Sequence, residues 1–379
     1  MDQTSPLAER APSFFSALKT QLPDLRDRRG LRHNLAFVLT AVVLAQLSGF
    51  KTLSDIQRFI ERRLRWLRRL TGEYSAGCPS RSQLPLIIES VDKLTLNILV
   101  LRHFAERAKG WVAADGKVMR GASSDGRREA IVIAVSHEDS IEVARAAQVG
   151  EKESEIVVMR ELLRDSGLEA AQVTTDALHC NETTLKQVAA AGGEYLTQVK
   201  DNQPELSLHC AHLVRCEPPL ADYCRTDKGH GRVTETAAHL LPLRAHLIDR
   251  RWRGAQLKYL VAVTRQTLNI KTQELSCETA FYVTNAARDA ASHTAHLVDL
   301  MGAIRGHWAV EANNYVRDVT LGEDAQITRS SNIAQTMAIL RGAALSVLRR
   351  AGRNCRAALT DFCLMPANLA RCLRAEGVL

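Results

Sequence analysis

WVAADGKVMRGASSDGRREAIVIAVSHEDSIEVARAAQV, residues 111–149, carries the strongest strand pattern in the chain. It opens on a short apolar run, WVAAD, that ends in an acid. EAIVIAVS (129–136) is rich in β-branched residues, and IEVARAAQV (141–149) alternates with a period close to two. Branched side chains and two-residue alternation suit a pleated, half-buried surface, so the three runs read as consecutive strands of an antiparallel meander.

Working downstream, a helix is expected from about Ser154 to Ser166. AAQVTTD (170–176) is another apolar strand ending in an acid. A helix from Asn181 to Ala191 and a strand at EYLTQVK (194–200) follow. The order β-β-β-α-β-α-β is the mixed-sheet pattern of the ribonuclease-H-like fold, and the fold class is α/β. Such a pattern does not by itself give a function. Residues 201–290 are less regular, with Pro204, Pro218, Pro219, the turn-like KGHGR (228–232) and the strand-like LKYLVAVT (257–264) and TAFYVTN (279–285). They read as a mostly β insertion. Helical periodicity returns from about Ser292 through Glu311, and another apolar helix is expected from about Asn332 to Leu348.

Working upstream, residues 1–108 read as a helical N-terminal domain. Leu35–Phe50 is apolar but only 16 residues long and contains Thr40, Gln46 and Ser48, which suits a core helix better than a membrane span. The next helix is expected to start near Ser54. In it Arg58, Arg62, Arg65 and Arg69 recur on one face, a candidate contact for a DNA backbone or simply a solvated face. A third helix is expected from Gln83 to about Ala108. The formal net charge of +8 sits entirely in residues 1–110, which hold 18 Lys and Arg against 10 Asp and Glu, while the remaining residues hold 32 of each. A localised basic excess points to a polyanion, with nucleic acid first. The nine cysteines are odd in number and form no C-x-x-C pair, and no leader-like segment opens the chain. Both features suit free thiols in a reducing cytoplasm, near the nucleoid. His209, Cys210, His212 and Cys216 lack the usual zinc spacings.

Two acids stand at matched places. Asp115 ends the first strand and Asp176 the fourth, and these strands are neighbours in the expected topology. Two carboxylates at adjacent strand ends repel unless a cation joins them, and hard oxygen donors suit Mg²⁺ or Mn²⁺. A third acid on a helix, Glu311, would complete a site for two ions able to serve phosphoryl displacement. Among 42 acids such a trio is easy to find, and each could equally be an ordinary strand-end or helix-surface carboxylate.

Six collinear segments resemble the H-repeat-associated, ISAs-type insertion-sequence transposases. They are DGKVMRG (115–121), EKESEI (151–156), TTDALHCNETT with GGEYLTQVKDNQPEL (174–206), DKGHGRVTET (227–236), RGHWAVEANNYVRDVTLGEDA (305–325) and NIAQTMAILRGAALSVLR (332–349). The N-terminal helices also resemble the domain that precedes the catalytic domain in that family. The resemblance implies a catalytic and metal-binding triad of Asp115, Asp176 and Glu311 within a catalytic domain spanning 109–350, followed by a tail at 351–379. It further implies a Mg²⁺-dependent enzyme that nicks double-stranded DNA at element ends and transfers the freed 3′-hydroxyl into target DNA, acting as a homodimer. The alternative is a catalytically inactive, transposase-derived DNA-binding protein. Two departures from the family pattern stand out: Asp201 replaces a glycine, and one residue fewer separates Glu311 from Arg317-Asp318-Val319.

DNA contacts are expected from Lys117 and Arg120 beside the first aspartate, Lys200, Asn202 and Gln203 after the last core strand, His230 and Arg232 at the insertion turn, and Arg305, His307 and Arg317 around Glu311. The competing readings are exposed turn cations for Lys117 and Arg120, and a loop cap for 200–203. Trp308 is expected to pack in the core. Glu323 and Asp324 are expected to cap the following helix or pair with Arg329.

Overall fold

The computed structural model describes residues 12–27, 31–105, 110–124, 127–148, 155–352 and 354–379. The EKES part of the EKESEI segment, and Ser154 as a helix start, lie outside them. The chain divides into two compact units. One comprises residues 1–107, 118–129 and 313–379, and the other 108–117 and 130–312.

The first unit opens with α1 (Phe14–Gln21), α2 (Leu35–Leu47), α3 (Leu53–Thr71), α4 (Gln83–Glu89) and α5 (Lys93–Ala105). Every residue of α2 is buried, and among the described residues no helix is long and apolar enough to cross a membrane. Helix α3 starts at Leu53, with its N-cap at Thr52, two residues before the expected Ser54, because the Thr52 hydroxyl accepts the Asp55 N–H; Gly72, at φ 75°, closes it. The single helix expected over 83–108 is two. Asp92 accepts the N–H groups of Leu94 and Thr95, which starts a new helix after a break.

The chain continues with β1 (Trp111–Ser124), β2 (Arg127–Ser136), β3 (Glu142–Gln148), α6 (Glu155–Asp165), β4 (Gln172–Thr175), α7 (Glu182–Ala190), β5 (Glu194–Val199), α8 (Pro204–Cys216), β6 (Ala221–Gly229), β7 (Arg232–Pro242), β8 (Tyr259–Asn269), β9 (Leu275–Thr284), α9 (His293–Gly306) and α10 (Trp308–Tyr315), of which residues 118–124, 127–129 and 313–315 belong to the first unit and the rest to the second. The first part of the order matches the strands and helices expected from the sequence. The nine strands form one mixed sheet in the order β3-β2-β1-β4-β5-β9-β8-β7-β6. The residues after β5 begin with a helix, α8, and their four strands extend the same sheet, because β9 pairs antiparallel with β5 from Leu196↔Thr284 to Val199↔Phe281. The expected KGHGR turn is the β6–β7 hairpin tip, where His230 and Gly231 both take positive φ (51° and 73°), as a twisted two-residue hairpin turn demands.

Alternation along the strands assigns their faces. Val112, Ala114 and Val173 join the core formed with Met159, Leu163 and Leu185 of α6 and α7. Trp111 and Leu196 turn the other way, into the core with Leu297, Leu300 and Ile304 of α9. Asp115, Thr174 and Asp176 share the parity of Trp111 and its register partner Gln172, so they belong to the α9 face.

The chain ends with α11 (Ser331–Arg350), α12 (Cys355–Leu364) and α13 (Pro366–Ala375). The expected tail at 351–379 thus carries two helices, α12 and α13. Helix α11 is buried over most of its length and packs on α2, α4 and α5 within the first unit. There, residues 316–320 coil as a wide π turn. It carries Arg317 inward: the side chain is fully buried, donates to both Glu323 oxygens at 2.9 and 2.7 Å, and donates to the Ala338 carbonyl at 2.8 Å. The expectation that Arg317 clamps DNA is thereby corrected, since a guanidinium held by a buried carboxylate is not offered to a phosphate. Glu323 is accordingly the buried partner of Arg317, and Asp324 pairs with Arg120 at 3.7 Å instead of with Arg329.

Candidate active site

Strands β1 and β4 run parallel, in register from Trp111↔Gln172 to Ala114↔Thr175. Asp115 and Asp176 are the next residue on each, so the register sets the two acids side by side at a spacing of roughly 5 Å between strands. The Asp115 carboxyl is pushed up to about 6, chiefly by burial and then by the neighbouring carboxylates of Asp176 and Glu155; the Gly116 N–H and His179 oppose the shift. Asp176 is half-exposed and caps a 3-10 turn, Ala177–His179, by accepting the Leu178 N–H at 3.1 Å.

Glu155, at the start of α6, is an acid of this site that residue-by-residue reading did not single out, although it belongs to the quoted EKESEI segment. Its Oε1 lies 3.2 Å from Nε2 of the buried His179. A Cβ on Gly116 would fall 2.1 Å from the Glu155 carboxyl carbon, which explains the glycine directly after Asp115.

The floor beneath the acids is a second constellation legible only in three dimensions. The Thr174 hydroxyl meets His137 Nε2 at 2.9 Å and His307 Nδ1 at 3.0 Å. A hydroxyl has one proton, which it gives either to one of the imidazoles or to the Val112 carbonyl at 3.4 Å, and any imidazole that does not accept it donates an N–H to the oxygen. Burial, helped by the proximity of the two rings, holds His137 down at about 4, and burial also lowers His307. Gly306 makes room for this packing, because a Cβ there would lie 2.2 Å from His137 Nδ1.

A cleft of about 820 Å³ opens at Thr174, Asp176 and His307. Asp176, Lys200, Arg305, His307, Trp308 and Glu311 line it from the core strands and helices, and Arg265, Glu278 and Tyr282 line it from β8 and β9. Glu311 thus shares the cleft with Asp176. Among the described residues no three His, Cys, Asp or Glu side chains stand close enough to form a metal cluster. The all-oxygen donors of Asp115 and Asp176, with the Asp115 carboxyl raised by burial and by its acidic neighbours, nevertheless match the chemistry of a hard divalent cation.

The remaining candidates separate by environment. Trp308 is 67% exposed in the cleft wall, which overturns the expectation of core packing. Lys200 and Arg305 are exposed there. The Asn202 amide donates to the Ala177 carbonyl at 2.6 Å and the Gln203 amide to that of Cys180 at 2.8 Å, so both brace the turn that carries Asp176. Lys117 is a buried residue inside β1 rather than a turn cation, whereas Arg120 is exposed. His230 and Arg232 are exposed at the hairpin tip, and Arg58, Arg62, Arg65 and Arg69 are exposed along α3.

Residues 17–104 match the DDE_Tnp_1-associated family model. The putative transposase YncI of Escherichia coli O157:H7 is 26% identical over 347 residues, covering 86% of this chain and 85% of that protein. The H repeat-associated putative transposase YhhI of Escherichia coli K12 is 26% identical over 342 residues, covering 86% and 88%. Among solved structures, the piggyBac transposase synaptic complex with hairpin DNA gives a TM-score of 0.47 at 8% identity, over 90% of this chain and 70% of that one, a likeness too slight to carry an argument.

Proposed function

From a chain that matches H repeat-associated transposases along most of its length, we propose a DDE-type DNA transposase whose site is Asp115, Asp176 and Glu311. Strands β3-β2-β1-β4-β5 are then a ribonuclease-H-like core, and β6–β9 its insertion. The observation that carries the reading is the placement of Asp115 and Asp176 one step beyond the Ala114↔Thr175 pair, with the Asp115 carboxyl raised by burial and then by its acidic neighbours.

In this reading Asp115 and Asp176 hold a divalent cation, Mg²⁺ or Mn²⁺, and Glu311 is the third acid. When bound, the ion supplies charge neutralisation and an activated water for phosphoryl displacement. The protein's own contribution is positioning. The parallel register fixes the spacing of the aspartates, while Asn202 and Gln203 hold the Asp176 turn by its carbonyls. The neutral His137–Thr174–His307 bridge keeps the floor uncharged, and Lys200 and Arg305 offer cations to the DNA backbone across the cleft. The reactions are nicking at element ends and attack of the freed 3′-hydroxyl on a target phosphodiester, with two copies joining two ends, in the cytoplasm at the nucleoid.

A second reading, a DNA-binding protein without catalysis, is favoured by the lack of a three-acid cluster among the described residues. Incubating the protein with Mg²⁺ and DNA carrying the repeats that flank its gene separates the two. Nicking by the wild type and none by Asp176→Ala is expected; DNA binding without nicking by the wild type establishes the second reading.

A further inference from the structure

A second cleft, of about 340 Å³, lies within the helical unit between α3 and the corner joining α12 to α13. Its α3 wall follows helical spacing. Arg58, Arg62 and Trp66 stand four residues apart, and Arg63 stands four after the buried Phe59. The opposite wall is Phe362, Cys363 and Pro366, with Phe50 closing one end against Phe59 at 5.2 Å. Arg58 is tied to Asp55 at 2.7 Å, whereas Arg62 and Arg63 are exposed and have no carboxylate partner among the described residues.

Two chemistries therefore meet in one concavity. Free guanidiniums at the mouth recognise a phosphate, and half-buried aromatic faces inside offer a stacking platform. An apolar peptide would leave the guanidiniums unanswered, and a bare phosphate would leave the aromatic walls unfilled. The ligand class that answers both is a nucleoside phosphate, and the volume suits one nucleotide.

We propose that this cleft binds a single unstacked nucleotide of a DNA strand, its phosphate on Arg62 and Arg63 and its base against Trp66. The inference rests on the proposed DNA-acting reading, but it concerns a site formed only by the helical unit and independent of the acids. It assigns the α3 arginines a structure-selective role, preferring DNA with an unpaired base over continuous duplex.

The test measures fluorescence anisotropy of the full chain with a labelled duplex and with the same duplex carrying one unpaired thymidine. Stacking of one base is worth about 1–3 kcal/mol, so the wild type is expected to favour the bulged duplex about tenfold. Trp66→Leu, which keeps apolar volume, is expected to abolish that preference and leave affinity for the paired duplex unchanged. The Arg62→Ala/Arg63→Ala double variant is expected to weaken both and flatten their salt dependence. Equal affinity of the wild type for both duplexes overturns the inference while the DNA-acting reading stands; no binding to either defeats both. Competition by thymidine monophosphate at the affinity of the bulged duplex would assign the cleft to free nucleotides instead. Equal melting temperatures of the variants and wild type exclude misfolding as the cause.

Discussion

Replacing Arg317 with Met separates two roles that the sequence leaves open, a DNA clamp and an internal brace. The guanidinium and the Glu323 carboxylate are both buried and joined by two hydrogen bonds, with a third from Arg317 to the Ala338 carbonyl. Removing one member of a buried pair leaves the other charge desolvated, at a cost of about 3–5 kcal/mol. The low end applies here, because Arg341 Nη1 lies 3.8 Å from Glu323 and remains to answer it. Arg341 is a limited substitute, since burial pulls its own guanidinium down to about 10. A loss of about 3 kcal/mol corresponds to a melting-temperature drop of about 6–12 °C in a unit of this size. Calorimetry and urea unfolding measure it, and duplex affinity is read in parallel below the melting point. Arg317→Met/Glu323→Gln is expected to recover little of this, because removing the Glu323 carboxylate takes that partner from the buried Arg341 in turn. A variant that melts like the wild type yet binds DNA more weakly would overturn the role of Arg317 as an internal brace and return it to the DNA surface.

Asp115→Asn is expected to abolish nicking and, in metal-chelating buffer at pH 8, to stabilise the protein by about 2 kcal/mol, because it removes a charge the fold disfavours. A raised acid is destabilising when ionised, so the gap between Asn and wild type should close as pH falls below about 6; a pH-independent gap contradicts this. His137 works in the opposite direction: its folded value near 4 lies below the unfolded one, so stability present above about pH 6.5 is lost as pH falls toward 4. Asp115→Asn should therefore unmask a steeper acid destabilisation than the wild type shows. Gly116→Ala forces the flexible Glu155 carboxyl away from His179 and is expected to cost about 1 kcal/mol, the worth of that hydrogen bond, measured by urea unfolding. Trp308→Ala should leave stability within about 0.5 kcal/mol, as its exposure requires, while weakening DNA binding; a large stability loss would restore it to the core.

Local patterns carried much of this protein. The β-branched run at 129–136, the acid-terminated apolar run at 170–176 and the KGHGR turn each state their conformation within a few residues, and each folds as its pattern directs, whereas Asp115 does not end its strand, because β1 continues to Ser124. Strand parity and parallel order were enough to suggest Asp115 and Asp176 as neighbours, because register transmits position along a ladder without regard to the chain between. What the sequence left open depends on burial and on partners far away in the chain. Arg317 looks like a cleft cation until a π turn carries it to Glu323, and Trp308 like a core residue until α10 leaves it in the cleft wall. The Thr174 hydroxyl gains its meaning only where histidines 137 and 307 converge on it. Likewise, α3 announces a basic face, but its cleft exists only because Phe362 and Pro366 return to it nearly 300 residues later. Local conformation follows from neighbours in sequence; desolvation and charge pairing are set by neighbours in space, and those the tertiary structure alone supplies.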